Sequence, residues 1–209
     1  SAEICFRKAY ELRMRGTRIE VVPDILMNLA DANNRLGKLD IGAAWYRRAL
    51  LMCDSLHMAS TKKPPIYYGL AQVYVTMRDF EQCDYYYNLA GESYDNMLPY
   101  EKYIYLNNRG TSYYYREDYQ TAIKYFQKVI DLVEGYDDMS FELNLGRLNL
   151  GDCYLQLNMV DLAVKYINEC QLFFEEMGVS TALYYIDTQK IELALLQKDF
   201  QEARRLLSE

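Results

Sequence analysis

Residues 104–126 read IYLNNRGTSYYYREDYQTAIKYF. Gly110 and Ala122 stand twelve positions apart, with a break at Glu117-Asp118 between them. Tyr113 precedes the break, Tyr119 follows it, and Phe126 lies about one helical turn beyond Ala122. This layout suits two antiparallel helices that meet where their side chains are smallest. Four more copies occur, with starts near residues 23, 64, 103, 144 and 184, so successive starts are 41, 39, 41 and 40 residues apart. A fixed period of about 20–50 residues marks a repeat array. One helix pair cannot bury its own apolar stripe, and stacking supplies each with a neighbour.

The copies agree in detail. Leu26, Leu29, Ala30 and Asn33 mark the first helix of unit one, Gly37 its turn, and Leu39, Gly42, Tyr46 and Ala49 the second helix. Unit two repeats this with Tyr67, Leu70, Ala71, Tyr74, then Phe80, Cys83, Tyr87 and Ala90, where Cys83 reads as a small buried hydrophobe. Unit four has Leu150, Gly151 and Tyr154, a turn at Asn158, then Val160, Ala163, Ile167 and Cys170. Unit five has Ile191, Ala194, Phe200, Ala203 and Leu207. Pro23 and Pro64 fall in a first helical turn, where a missing N–H is harmless. Asp79, Asp118 and Asp199 stand where second helices should begin, Asp199 with Glu202 has capping-box spacing, and Ser140 is the expected N-cap of unit four. Residues 2–15, with Ala2, Phe6 and Ala9 in register, form half a unit. The pattern is cut at both ends, which predicts further repeats outside this stretch. The expected fold is therefore all-α, with about five helix pairs plus an N-terminal half repeat in a single repeat domain over 1–209.

Composition narrows the function. The chain is 51% hydrophobic and 25% charged, as befits a folded protein, and its net charge is −7. Nucleic-acid affinity needs clustered Lys and Arg, and only short basic pairs such as Arg47-Arg48 and Arg204-Arg205 occur. Five scattered cysteines and one histidine, His57, give neither a disulfide framework nor a metal-ligand spacing. No metal or cofactor is expected. No run approaches 18 apolar residues and no basic-then-apolar leader opens the chain. Membrane contact is not expected and a cytoplasmic location is favoured. No nucleophile–base pairing or phosphate-cradling glycine loop is present, so catalysis is not expected.

The repeated positions resemble the tetratricopeptide repeat, which has a large apolar residue, Leu-Gly/Ala and Tyr, then Ala, Phe/Tyr and Ala. Leu29-Ala30, Leu70-Ala71-Tyr74, Gly110-Tyr113, Leu150-Gly151-Tyr154, Ala122-Phe126 and Ala163 carry the match. The departures are a period near 40 in place of about 34, Asn33 for the usual Tyr, and Lys190-Ile191 in a degenerate last unit. Longer-period arrays of this kind are similar to those of kinesin light chains, spindle-orientation adaptors and bacterial peptide-responsive regulators. The resemblance implies a right-handed superhelix whose first helices line a concave groove for a peptide or protein segment.

Within each first helix, residues three, four and seven apart share a face. With the Leu-Gly/Ala edge against the neighbouring helix, the preceding residue faces the groove: Asn28, Gly69, Asn108, Asn149 and Gln189. An asparagine amide can bond both the C=O and the N–H of an extended backbone, a use that the resemblance also implies. One turn on lie Asp31, Gln72, Thr111, Asp152 and Glu192; one turn earlier lie Asp24, Pro65, Ile104, Leu145 and Tyr185. Tyrosine accounts for 22 residues, and Tyr68 and Tyr114 are expected to look into the groove. Three carboxylates in the later set predict an acidic groove that steers in a basic or amine-bearing partner. Chaperone-binding members of the family use a Lys/Arg clamp; Met27, Tyr68, Asn107 and Leu148 hold the corresponding places here, which argues against that activity. The resulting expectation is a non-catalytic module holding an extended segment. Two alternatives stand beside it: a sensory segment of a bacterial transcription regulator with its DNA-binding output elsewhere, and a scaffold that self-associates, as a homodimer, through its repeat ends.

Overall fold

The computed structural model describes residues 2–16, 19–58 and 62–208. Among them are eleven α-helices: α1 (Ala2–Met14), α2 (Val22–Arg35), α3 (Leu39–Ser55), α4 (Pro64–Thr76), α5 (Phe80–Gly91), α6 (Pro99–Tyr114), α7 (Tyr119–Val133), α8 (Ser140–Gln156), α9 (Val160–Met177), α10 (Ser180–Leu196) and α11 (Phe200–Leu206). No strand occurs among the described residues, and no described helix is long and apolar enough to cross a membrane. The fold is all-α. The helices fall into two compact units, Ser1–Leu98 and Pro99–Glu209.

In each unit every helix packs on the next, and the first helices of adjacent pairs also touch: α2 on α4 in one unit, and α6 on α8 and α8 on α10 in the other. The core of the first unit holds Leu26, Leu29, Ala43, Tyr46, Cys53, Ile66 and Leu70. That of the second holds Phe126, Ile130, Leu150, Cys153, Ile167 and Phe174. The small residues do not simply meet one another. A Cβ on Gly110 would lie 2.7 Å from the Phe126 ring, so this glycine accommodates a large ring one turn past Ala122. Cys83 is fully buried, as its small-residue slot predicts. Burial pushes the Cys153 and Cys170 thiols up to about 12, so both stay protonated and unreactive at neutral pH.

The turn between paired helices follows one rule in all five units. Gly37, Arg78, Glu117, Asn158 and Lys198 occupy the same repeat position, and all have φ between +56° and +72°. In each case the next residue's N–H bonds the carbonyl five residues earlier, as in Lys38 to Asn33 (2.9 Å) and Asp118 to Tyr113 (3.0 Å). This is a Schellman closure, which satisfies carbonyls orphaned at the first helix's C-terminus. The residue that completes it is also the N-cap of the second helix. Asp79, Asp118 and Asp199 accept there from the N–H groups of Gln82, Thr121 and Glu202 at 3.1, 3.1 and 3.0 Å. One aspartate therefore terminates one helix through its backbone and starts the next through its side chain.

Two capping expectations need correction. Ser140 is the first helical residue of α8 and not its cap; its hydroxyl donates to the Asp137 carbonyl at 2.9 Å, and a 3-10 turn (Asp137–Met139) leads in. The Asp199–Glu202 pair forms only the aspartate half of a capping box. The Glu202 carboxylate instead takes two hydrogen bonds from Arg205, at 2.7 and 2.6 Å, while the Asp199 N–H is committed to Ala194. Pro23 and Pro64 do lie in first helical turns.

Candidate functional site

The second unit contains a cleft of about 260 Å³ bounded by α6, α8 and α10. Thr111 and Tyr114 come from α6 and Tyr115 from the turn after it, Leu145, Leu148, Asn149 and Asp152 from α8, and Tyr185 and Gln189 from α10, with Phe126 of α7 beneath. The residues on each first helix recur at helical spacing: 111 and 114; 145, 148, 149 and 152; 185 and 189. They therefore share a face. Five sequence-predicted groove residues meet here: Thr111, Tyr114, Asn149, Asp152 and Gln189.

Its polar groups are interconnected. Asn149 donates to the Asn107 side-chain oxygen at 3.0 Å, joining α8 to α6, and Thr111 donates to the Asn107 carbonyl at 2.9 Å. The Tyr114 hydroxyl and Gln156 both hydrogen-bond Asp152, and Gln156 also donates to Glu192 at 3.1 Å. Gln189 is buried and donates to the Leu148 carbonyl at 3.1 Å, which ties α10 to α8. Burial pushes the Tyr114 hydroxyl up, and the adjacent Asp152 adds to this. Burial, opposed by the Tyr114 hydrogen bond and reinforced by the Glu192 charge, leaves the Asp152 carboxyl above its ordinary value.

That shift has a definite sign in stability. A raised carboxyl keeps its proton in the folded chain over a pH range where the unfolded chain, near about 3.9, has lost it. Ionisation of Asp152 therefore costs stability as pH rises through that range, and the full cost is present above it. Asp152→Asn keeps an acceptor for Tyr114 and removes the charge. The variant is expected to unfold at higher urea than the parent at pH 7.5, with the difference shrinking as pH falls toward 4. A parent chain more stable than the variant at pH 7.5 would contradict this electrostatic picture.

The other predicted positions lie apart from this cleft. Asn108 is half-buried on α6, about 100° round the helix from Asn107, and is not among the lining residues. Glu192 does not line the cleft; it joins the polar network by accepting from Gln156 and acts on Asp152 through its charge. In the first unit Asn28 and Gln72 are exposed, and the Tyr68 hydroxyl meets the Met97 sulfur at 3.4 Å. Asp31 accepts a hydrogen bond from Tyr46. The Tyr46 ring occupies the space a side chain at position 69 would take: a Cβ on Gly69 would lie 2.2 Å from it. Thus α3 fills, between α2 and α4, the place that in the second unit is flanked by Asn149.

Leu145 and Tyr185, one turn before the predicted groove positions, and Leu148, at the clamp position, also line the cleft. Sequence reasoning did not pick out Tyr115 or Phe126 as lining residues. Phe126 enters the sequence pattern only as a marker of the second helix, where its repeat slot lies. One signal was available: Phe126 and Tyr46 share a repeat position, and the residue opposite each is Asn149 in one case and Gly69 in the other.

Tetratricopeptide-repeat family models match residues 103–136 and 146–172, the stretches that supply most of the cleft. The anaphase-promoting complex subunit CDC16 of Saccharomyces cerevisiae is 26% identical over 163 residues, which cover 76% of this chain and 18% of that protein. The chain thus spans under a fifth of the length of that relative. Among solved structures, the signal-transduction ATPase PH0952 of Pyrococcus horikoshii, which has a tetratricopeptide repeat sensor, superposes with a TM-score of 0.74 at 19% identity. The match covers 96% of this chain and 30% of that one. BtubC of P. vanneervenii superposes with a TM-score of 0.70 at 22% identity over 83% of this chain and 74% of its own. Repeats of this kind are in general non-catalytic protein-interaction modules. Residues 103–136 and 146–172 are thus tetratricopeptide repeats, and the other helix pairs share their layout and their capped turns.

Proposed function

We propose that the cleft bounded by α6, α8 and α10 holds an extended segment of a partner protein. The observation that carries this reading is the contrast between equivalent positions. In the first unit the space opposite Asp31 is filled by Tyr46 against Gly69. In the second, Phe126 stops short and Asn149 borders an open hollow. The Asn149 amide keeps an acceptor oxygen after donating to Asn107, and asparagine suits a backbone whose side chains vary. The volume also decides what fits. At about 260 Å³ the hollow lies just below the roughly 300–1,000 Å³ of small-molecule sites. It suits an anchoring part of a longer chain better than a whole cofactor.

The test uses random 12-residue peptides displayed on phage and selected on the full chain. Selected peptides, resynthesised, are expected to lose at least ten-fold in affinity on Asn149→Ala while circular dichroism shows the fold intact. Peptides that bind the variant as tightly as the parent would place the recognition surface elsewhere.

A further inference from the structure

At its buried positions the unoccupied hydrogen-bonding capacity of the cleft is one-sided. Gln189 is 6% exposed, its amide N–H is committed to the Leu148 carbonyl, and its Oε1 has no hydrogen-bond partner. Asp152 lies on the same wall as a carboxylate, and the second carboxylate, Glu192, adds negative potential. The donors closest to Asp152, the Tyr114 hydroxyl and Gln156, are already turned onto it. Apart from the hydroxyls of the exposed Tyr115 and Tyr185, what remains are acceptors and negative charge, and a buried acceptor is costly to leave unmade. Around them Leu145, Leu148 and Tyr185 offer apolar surface. The complementary group carries several N–H donors and a positive charge at the end of an apolar stem. Those are the properties of lysine and arginine side chains, which lay their methylenes along apolar surface and keep the head for polar partners. Arginine's fork adds the geometry for a carboxylate.

We infer, on the reading of this cleft as a peptide site, that it is a specificity pocket for one Lys or Arg side chain of the bound segment. The stem lies along Leu145 and Tyr185, and the charged head meets Asp152 and the Gln189 oxygen. No counterpart is expected at Asp31 in the first unit, where the Tyr46 ring fills the adjoining space against Gly69.

Four fluorescein-labelled nonapeptide pools test this, each degenerate except for a fixed central Lys, Arg, norleucine or Glu. They are titrated against the full chain, against Asn149→Ala, and against Asp152→Asn/Glu192→Gln. The Lys and Arg pools are expected to bind the parent at least ten-fold more tightly than the norleucine and Glu pools. In the double variant that gap should close to two-fold or less, with circular dichroism unchanged. Pools that all bind alike, and all weaken on Asn149→Ala, would overturn the cation pocket and leave the peptide site standing. Pools that fail to bind, or that ignore Asn149→Ala, would overturn both. Arginine amide binding as tightly as the Arg pool would make the cleft a small-molecule site and overturn the assignment to a segment.

Discussion

Replacing Phe126 by alanine is expected to destabilise the chain by about 3–5 kcal/mol, the range for truncating a buried phenylalanine. The ring is 2% exposed and lies on Gly110, with Ala122, Ile130, Leu150 and Cys153 in the same cluster. Part of that cost is lost transfer energy and part is the cavity, which α6 and α7 cannot close because their spacing is held along their whole length. The second contribution is reducible: Phe126→Leu keeps most of the volume and should cost much less, under about 1.5 kcal/mol for a nearly volume-conserving change. Urea unfolding followed by circular dichroism measures both variants. A loss below about 1 kcal/mol for Phe126→Ala would mean that the helix pair is not held by this ring.

Gly69→Ala is expected to destabilise the first unit by about 1–3 kcal/mol, the usual cost of overpacking a filled site. Alanine in a helix ordinarily gains about 1 kcal/mol over glycine, so propensity alone predicts the opposite sign. The clash decides it. The added Cβ would lie 2.2–2.5 Å from Tyr46 ring and hydroxyl atoms, and Tyr46 is 3% exposed and hydrogen-bonded to Asp31. Relieving the clash means moving a buried ring and giving up that bond. Trp45, the only tryptophan, packs against the same core, so its fluorescence reports the transition. Coupling supplies the sharper check: on a Tyr46→Leu background, Gly69→Ala should cost markedly less than on the parent. Equal costs on both backgrounds would show that the two residues do not compete for one space.

The parts of the fold that were legible in the sequence are those fixed by local chemistry. Gly110, Ala122 and Phe126 announce a helix pair because their spacing follows the helical period. Asp79, Asp118 and Asp199 announce second helices because a short carboxylate at that point can reach the N–H three residues on. The shared left-handed turn was legible only at Gly37 and Asn158, residue types that tolerate positive φ. Arg78, Glu117 and Lys198 have no preference for positive φ, and the turn adopts it because the Schellman closure and the next helix's cap both require it. Glu202 illustrates the same limit. A glutamate at the capping-box position was free to choose, and Arg205 one turn away offered a charged partner.

The site was legible in part, for a related reason. Repeat spacing brought Thr111, Tyr114, Asn149 and Asp152 to one wall because i, i+3 and i+7 arithmetic fixes a helix face. It could not show that Tyr46 fills the matching place in the first unit, since that depends on Gly69 across a helix boundary. Nor could it separate Gln189 from the asparagines it aligns with. One additional methylene lets the glutamine amide reach the Leu148 carbonyl, where it bridges two helices.

The most direct measurement is nuclear magnetic resonance of the 15N-labelled full chain titrated with the tightest peptide from the display selection. The side-chain amide signals of Asn149, Asn107 and Gln189, with the backbone signals of Thr111 and Asp152, are expected to move together and saturate at one affinity. Shifts that instead gather on the Trp45 indole or along α11, with those amide signals unmoved, would contradict the assignment of the α6–α8–α10 cleft as the place where the partner segment binds.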